Sequence, residues 1–435
     1  MKGFTLSLRT MSLFLMALTF TGGIGPLTAS SPTSPMKIQA IFRIPSPPFF
    51  ETWGLIEPKV VTAGPPAIAD YTAWVDLGIV YAAPSGDAYY PSVLYDANGF
   101  GSGIPLYKMW YSNGLGQVFV VSSIDGFTWS PPVQVTGLGN DAHHVQVVYD
   151  ANCFGVTPCG PGSIKYKIWY WDMDFIYNIN AISYAESANG VNWINDQPIT
   201  QGSPPLVTGN PGDWNYGSYG PVYVIYQPGA TNTGTDPWNY SYVMYYNGTN
   251  GSNEFTGLAY SSDGKAWTAY STAPVLSGST SAAWDCSDTA YGTVYRDVNG
   301  FHFWYSGGGA DNGSGGCLDQ PVHQGIGYAS SSDGIIWTKD PNNPIFHITD
   351  GLSYRNVRVY TPTVVDDGSN FLKMYYSAQG TGTPKRIGLA VLPRPSPPIS
   401  PVSLSIQSDS NGNGVWDSGE TVTVVPAWKN WTLTP

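Results

Sequence analysis

The chain has 435 residues and a formal net charge of -12, with 11% charged and 14% aromatic side chains. The negative charge excludes nucleic acid as a partner, because nothing here could neutralise a row of phosphates. The low charged fraction, with 51 Gly and 36 Pro, favours an extracellular all-β protein with many turns. Neutral sugars are a partner class that suits this composition.

Residues 1–29 have the pattern of a secretory signal peptide. Lys2 precedes an apolar run at 11–20, and small residues follow. The run is too short to span a membrane. Residues 2–6 also resemble the cleavage motif of type IV prepilins, although Leu8 stands where that motif has Glu. We expect a secreted or cell-surface protein without a membrane span, with the prepilin as the alternative.

Residues 30–69 are rich in Pro and Ser and predict a linker. Export makes the four cysteines interpretable as disulfides. Cys153 and Cys159 are close together in one loop, and Cys286 and Cys317 fall within one repeat. The alternative is unpaired buried thiols. No cysteine spacing resembles a zinc or haem site.

One pattern recurs five times: an aromatic strand followed, in four copies, by an Asp-Gly or Asn-Gly turn and a tryptophan. In the first copy Tyr107–Ser112 precedes Asp125, Gly126 and Trp129. The later aromatic strands and tryptophans are 166–170 with Trp193, 243–246 with Trp267, 303–306 with Trp337, and 373–377 without a tryptophan. Asp-Gly between apolar runs predicts a hairpin, and a recurring unit predicts a repeat architecture.

The fifth copy ends after residues 387–391, without its own turn and tryptophan. A matching strand follows Trp74, near the start of the repeats. A sheet completed by both ends of the chain closes a ring and protects its edges. The sequence therefore predicts an all-β fold, a five-bladed β-propeller over 70–393 that is closed by an N-terminal strand, with four strands per blade.

Residues 394–435 begin with a Pro-rich spacer and predict the start of a C-terminal β module. Oxygen ligands with the spacing of a calcium loop occur in it, at Asp409, Asn411, Asn413, Val415 (through its carbonyl), Asp417 and Glu420. Gly414 stands at the sixth position, where the loop turns sharply. The flanks 402–406 and 421–425 predict strands, so the loop differs from a helical EF-hand. We expect Ca²⁺ here; the alternative is an Asx-rich turn without metal.

The repeat, with Asp-x-Asn-Gly, Met-Trp-Tyr-Ser and Ala-x-Ser-x-Asp-Gly-x-x-Trp elements, resembles the propeller superfamily of invertases, levansucrases and arabinan- or xylan-degrading glycoside hydrolases. The resemblance implies three carboxylates on the pocket face, since glycoside cleavage needs one acid and one base or nucleophile. It places Asp87 as base or nucleophile and Asp141 as the orienting carboxylate. Asp213 takes the third blade's position, where the family has Glu, and Glu254 is the alternative acid. Each Asp has the alternative role of capping a turn.

Further residues at the expected channel mouth are candidates for binding a substrate. His143 and His144 follow Asp141 and suit a sugar hydroxyl or a metal. Arg355 and Arg358 suit a substrate carboxylate, or alternatively an ion pair with Asp87 or Asp141. The remaining candidates are Asp285 and the aromatic residues Trp214 and Tyr216, whose rings suit stacking on a sugar.

Two functions remain open from the sequence. One is a secreted glycoside hydrolase acting on a polysaccharide or glycan. The other is a non-catalytic propeller that binds glycans or cell-surface proteins through the same face. The missing Glu favours the second, whereas the acidic residues before four of the five innermost strands favour the first.

Overall fold

The computed structural model describes the residues Ile68, 70–172, 181–199, 213–249, 253–279, 283–311, 317–318, 324–394, 400–409 and 422–429. The expected signal peptide, nearly all of the linker and the calcium ligands 411–420 lie outside these residues. The described residues contain no α-helix, only strands and four short 3-10 turns, Gly99–Gly101, Cys153–Gly155, Pro237–Asn239 and Ser353–Arg355. The all-β prediction is confirmed. No helix in this part of the chain is long and apolar enough to cross a membrane.

Ala67–Arg394 form one compact unit of mainly antiparallel sheets; a single parallel pair, Glu254 with Asp288, joins the third and fourth of them into one nine-stranded sheet. The first strand, β1 (Val75–Tyr81), belongs to the last of these sheets. The first sheet contains β2 (Tyr89–Tyr95), β3 (Tyr107–Ser112), β4 (Val118–Ser123) and β5 (Val133–Gln134). The second contains β6 (Ala142–Tyr149), β7 (Tyr166–Asp172), β8 (Ala181–Ser187) and β9 (Trp193–Pro198). The third contains β10 (Gly217–Tyr226), β11 (Tyr242–Thr249), β12 (Glu254–Ser261) and β13 (Thr268–Ala269).

The fourth sheet contains β14 (Asp288–Asp297), β15 (Gly300–Gly308), β18 (Gly325–Ser331), β19 (Thr338–Lys339) and β20 (Phe346–His347), with a small hairpin of β16 (Ala310–Asp311) and β17 (Cys317–Leu318) beside it. The fifth contains β21 (Arg358–Asp366), β22 (Phe371–Gln379) and β23 (Arg386–Pro393), and β1 pairs antiparallel with β23. The first strands are neighbours in the order β2, β6, β10, β14, β21 and again β2. Apolar clusters fill the spaces between adjacent sheets.

The repeated turn explains how neighbouring sheets are joined. At Ser123 the side-chain Oγ accepts a 2.8 Å hydrogen bond from the Gly126 amide, and Asp125 Oδ1 accepts from two further amides. Ser187, Ser261 and Ser331 form the same turn. The glycine carbonyl of this turn accepts a hydrogen bond from an aromatic side chain of the preceding sheet. These bonds are Trp110 to Gly190, Trp169 to Gly264, Tyr245 to Gly334 and Tyr375 to Gly126. Trp304 binds the Tyr71 carbonyl in the same way.

A lysine in the aromatic strand adds a second bond between sheets in three places. Lys108 Nζ donates to the Tyr166 hydroxyl at 2.7 Å, and Lys167 Nζ donates to the Tyr242 hydroxyl at 2.7 Å. Lys373 binds Tyr107 at 2.8 Å. Burial lowers the pKa of Lys108 and Lys167 to about 8. The recurring Lys-x-Trp or Lys-x-Tyr sequence is therefore scaffold.

Both predicted disulfides are confirmed, Cys153 with Cys159 and Cys286 with Cys317. The second unit contains two strands, β24 (Ser400–Asp409) and β25 (Val422–Lys429). They pair antiparallel, with Asp409 opposite Val422. The predicted calcium loop is thus the connection between two paired strands. The calcium site itself stays a prediction.

Candidate functional site

Each sheet's first strand contains a β-bulge at one level. In β2 the register shifts between Tyr89 and Ser92, and in β6 it shifts between His143 and Gln146. Corresponding shifts occur in β10, β14 and β21. The bulges place Tyr90, His144, Tyr291 and Thr361 at positive φ, between 39° and 56°. Bulged residues of all five strands line one cavity of about 20 Å³, which holds about one water molecule.

Aromatic rings close this cavity. The ring centroids of Tyr90 and His144 are 3.5 Å apart, and those of His144 and Tyr291 are 4.0 Å apart. Tyr360 contacts Tyr90 edge-on at 5.5 Å. His144 is only 4% exposed, so it packs within the channel, whereas we expected it at the mouth. A cavity of about 20 Å³ is too small to hold a sugar.

The bulges define which residues occupy equivalent positions at the mouth. Tyr89 pairs with Ser112, and the residue two positions earlier is Asp87. The same count gives Asp141 in the second sheet, Asp288 in the fourth and Arg358 in the fifth. In the third sheet Gly217, paired with Thr249, takes this position. Three of the five equivalent positions therefore hold aspartate, and one holds arginine.

The predicted equivalence of Asp213 is wrong. Asp213 is exposed and precedes β10 by four residues, and its carbonyl accepts a bond from the Tyr216 amide. The third first strand has an additional register shift between Ser218 and Gly220, which a count along the sequence does not reveal. Asp285 also lies elsewhere: it is 1% exposed and bonds Lys339 Nζ at 2.6 Å and the Tyr305 hydroxyl at 2.9 Å.

Asp87 is held by Lys385, a residue that the sequence analysis missed. The Lys385 amide donates to Oδ1 at 2.8 Å, and Lys385 Nζ lies 3.1 Å from Oδ2. The same ammonium lies 4.0 Å from the centroid of the Tyr89 ring. The Asp87 side chain is 28% exposed, so it remains accessible. Lys385 is in the loop before β23, and no local sequence signal links it to Asp87.

Asp141 is held by His143. His143 Nε2 donates to Asp141 Oδ1 at 2.7 Å, and the Asp141 side chain is 31% exposed. Burial lowers the pKa of His143, although the hydrogen bond and the charge of Asp141 oppose this shift. A neutral imidazole therefore orients the carboxylate at neutral pH.

Tyr89 lies between the two carboxylates. Burial raises its pKa, the charges of Asp87 and Asp141 raise it further, and the charge of Arg358 opposes them. Two glycines of the β3–β4 loop pack against the two carboxylates, Gly114 against Asp87 and Gly116 against Asp141. A Cβ at Gly114 would lie 3.3 Å from Asp87 Oδ2, and one at Gly116 would lie 2.6 Å from Asp141 Oδ1. Side chains here would crowd the carboxylates.

Glu254 is the first residue of β12 and pairs in parallel with Asp288, at the fourth sheet's equivalent position. Its amide donates to the Ser287 carbonyl at 2.9 Å, and Asp288 is 1% exposed. The fold therefore places the backbone of Glu254 beside that of Asp288. Asp288 was not among the predicted site residues; the signal was its position before Tyr291, as Asp87 precedes Tyr90.

The two candidate arginines differ. Arg355 is 2% exposed and binds Asp76 at 3.1 Å and Asp350 at 2.9 Å, so the suggested ion pair with Asp87 or Asp141 is not formed. It precedes β21 in a 3-10 turn. Arg358 is half-buried at the start of β21, beside the Tyr360 hydroxyl. Burial raises the pKa of Tyr360, and the Arg358 charge opposes that shift.

The aromatic candidates also differ in accessibility. Trp214 is half-buried, stacks on Tyr246 with centroids 6.0 Å apart and donates from Nε1 to the Thr272 carbonyl. Tyr216 is 51% exposed. Only Tyr216 thus presents a largely free ring. Among the described residues no group of three or more His, Cys, Asp or Glu is arranged to hold a metal ion.

No protein-family model and no curated protein matches the chain. Solved structures do match it. One, a complex of BT0996 with RGII, is 16% identical with a TM-score of 0.52, and the match covers 74% of this protein and 92% of that one. Another, named "Glycoside hydrolase", is 15% identical with a TM-score of 0.50, covering 73% and 92%. The chain therefore shares its fold with these two solved structures, one of which is named a glycoside hydrolase. The predicted resemblance is thereby confirmed at the level of the fold.

Proposed function

We propose that the chain is a secreted carbohydrate-active propeller that hydrolyses a glycosidic bond at the mouth of its central channel. The observation that carries this proposal is the pair Asp87 and Asp141. Both carboxylates stand at equivalent positions of adjacent first strands, both are about one-third exposed, and both surround Tyr89. Two carboxylates beside a space for a sugar are the minimum equipment for glycoside cleavage.

We also propose that residues 70–393 form five blades in a closed ring. Three observations support this: the pairing of β1 with β23, the cyclic order of the first strands, and the aromatic bonds from each sheet to the next. The ring brings the loops before β2, β6, β10, β14 and β21 to one face. The candidate residues on those loops then share a single site.

In this proposal Asp87 is the base or nucleophile. Lys385 keeps its oxygens in place, and His143 orients Asp141, which in turn orients the substrate. Glu254 is assigned as the acid that protonates the leaving oxygen, because its backbone pairs with Asp288 at the fourth sheet's equivalent position. Glu254 is preferred to Asp213, which lies exposed outside the ring of equivalent positions. Tyr216 offers a ring for stacking on a sugar unit.

The test compares wild type with Asp87→Asn, Asp141→Asn and Glu254→Gln on a panel of plant and microbial polysaccharides, with reducing-sugar release and binding measured separately. Asp236→Asn is the matched control, because that aspartate is exposed in the loop between β10 and β11. We expect Asp87→Asn to lower the turnover rate by at least about 1,000-fold, while the polysaccharide still binds. Full turnover by Asp87→Asn would refute the assignment.

A second candidate is a glycan-binding propeller without turnover. The closure of the channel by Tyr90, His144 and Tyr291 favours it, because a closed channel limits how deeply a sugar enters. Binding by wild type that is unchanged in Asp87→Asn, with no sugar released from any polysaccharide, would select this function. In that case the same face binds a glycan or a cell-surface protein.

We further propose that Ca²⁺ binds the connection from Asp409 to Glu420. The paired strands β24 and β25 bring the ends of that connection together. Calorimetric titration of the full chain with Ca²⁺ tests this, with Glu420→Gln expected to weaken binding at least about 10-fold because it removes the bidentate ligand. Secretion is tested by sequencing the N-terminus of the exported protein, where cleavage after Ala29 is expected.

A further inference from the structure

We infer that Arg358 binds the carboxylate of an acidic sugar unit at the channel mouth, so that the glycan is a uronate-containing one. The inference rests on the proposed carbohydrate function and adds its substrate class. Arg358 occupies the position at which three other first strands have Asp87, Asp141 and Asp288. The fifth blade thus reverses the charge in an otherwise acidic ring.

Several other cations of this unit have carboxylate partners. Lys385 binds Asp87, Arg355 binds Asp76 and Asp350, Lys339 binds Asp285, and Arg394 binds Asp366. Among the described residues, no carboxylate forms an ion pair with Arg358. The alternative that Arg358 pairs with Asp87 is not realised, because Lys385 takes that place. A half-buried guanidinium without a counterion is costly to desolvate, and a bound carboxylate would offset this cost.

The surroundings of Arg358 suit a carboxylated sugar. Its charge opposes the raised pKa values of Tyr89, Tyr90 and Tyr360, as expected for a guanidinium near these three hydroxyls. A guanidinium donates two parallel hydrogen bonds to one carboxylate, which fixes the orientation of a planar group. The first strands on either side of β21 hold Asp87 and Asp288 at the equivalent positions. A uronate anchored by Arg358 would thus place its ring beside Asp87, the proposed base or nucleophile.

The chain's net charge of -12 repels an acidic glycan at long range, so long-range attraction does not explain its selection. Selection must then come from the short-range contact. Charge-assisted hydrogen bonds contribute about 1.5–3 kcal/mol, which corresponds to a preference of about 10- to 100-fold. Loss of this preference is therefore measurable by calorimetry.

The experiment compares each acidic oligosaccharide with its own methyl ester, which has the same backbone without the charge. Galacturonate oligomers and glucuronate-substituted xylo-oligosaccharides are the probes, and neutral xylo- and arabino-oligosaccharides complete the panel. We expect wild type to bind an acid form about 10- to 100-fold more tightly than its ester. Arg358→Met should remove the preference, and Arg358→Lys should retain part of it.

Arg296→Met is the matched control, because Arg296 is exposed on β14 and lies over the Phe301 ring, 4.8 Å from its centroid. It should leave the preference unchanged. Equal binding of acid and ester by wild type, or binding of neutral oligosaccharides only, would overturn the inference while the carbohydrate function stands. Binding of no glycan at all would overturn both. Arg358-dependent binding of inorganic phosphate, without any preference for acid over ester, would assign the residue to phosphate and overturn the uronate assignment.

Discussion

Lys385 Nζ lies 3.1 Å from Asp87 Oδ2, although 298 residues separate the two along the chain. The lysine precedes the strand that pairs with β1, and the aspartate precedes the first strand of the first sheet. Their contact joins the last and first sheets at the mouth. The position of the main catalytic candidate thus depends on how the two ends of the unit meet.

Replacing Lys385 by Met should disorder Asp87 and lower kcat by up to about 100-fold, with little change in KM, because a misplaced carboxylate affects the reaction more than binding. Lys385→Arg should recover part of the rate. Steady-state kinetics on the polysaccharide identified in the panel measures both constants.

The control for this change is Lys265→Met. It removes an ion pair of the same length, 3.1 Å from Lys265 Nζ to Glu186 Oε1, in which Glu186 belongs to β8. That variant should keep the wild-type kcat. If both lysine variants lose the same fraction of activity, the effect is a general loss of stability and Lys385 has no positioning role.

Acidification should destabilise the fold below about pH 6.5. Burial lowers the pKa of His143 and of His302, which binds Tyr328 and Asp297. A lowered pKa means that the unfolded chain takes up protons first, so this stability is present above the unfolded pKa of 6.5 and lost as pH falls. Each histidine contributes a slope of up to about 1.4 kcal/mol per pH unit.

Urea denaturation from about pH 8 to about pH 5 measures this slope. The double variant His143→Gln and His302→Gln should flatten it, because neither amide titrates. Burial opposes a low pKa for Asp297, but its hydrogen bonds lower that pKa below the usual value. Asp297 therefore titrates below about pH 4, outside this range. An unchanged slope in the double variant would show that other groups cause the acid sensitivity.

Gly190→Ala should destabilise the unit more than Gly229→Ala. Both glycines have nearly the same positive φ, 77° and 78°. A Cβ at Gly190 would lie 2.8 Å from Trp110 Cζ2, whereas none of the surrounding atoms lies within 4 Å of one at Gly229. We expect about 1 kcal/mol from the backbone at both positions and a further 1–3 kcal/mol, roughly, from overpacking at Gly190. Equal losses in chemical denaturation would contradict the contact between sheets.

Removal of the Cys286–Cys317 disulfide by serine should cost more stability than removal of Cys153–Cys159. The two bonds span 31 and 6 residues. Loop entropy in the unfolded chain then gives about 4 kcal/mol and about 2 kcal/mol respectively. Denaturation of the two double-serine variants measures the difference, and a reversed order would show that contacts in the folded state dominate.

Much of the scaffold could be predicted because its signals are local. The serine, aspartate and glycine of one turn bond each other within three residues, and the aromatic strand precedes that turn in each copy. The all-β class, the recurring unit and the cysteine pairing follow from such patterns. Asp87 and Asp141 were selected for the same reason, since each stands just before its strand.

The remaining site residues could not be ranked from the sequence. The sequence selected Asp213 and Asp285, whereas the bulges select Gly217 and Asp288. A bulge adds one unpaired residue without a sequence marker, and that shift changes which side chain reaches the mouth. Lys385 and Arg355 illustrate a second limit, because their partners lie in other sheets.

The sequence by itself determined the repeated strands and their turns, because each rests on residues close together in the chain. The tertiary structure decided which charged groups meet: Asp87 with Lys385, Asp141 with His143, Glu254 beside Asp288, and Arg358 without a carboxylate partner among the described residues. The physical reason is that electrostatic partners are selected by distance in space, and the bulge register and the meeting of the first and last sheets set those distances.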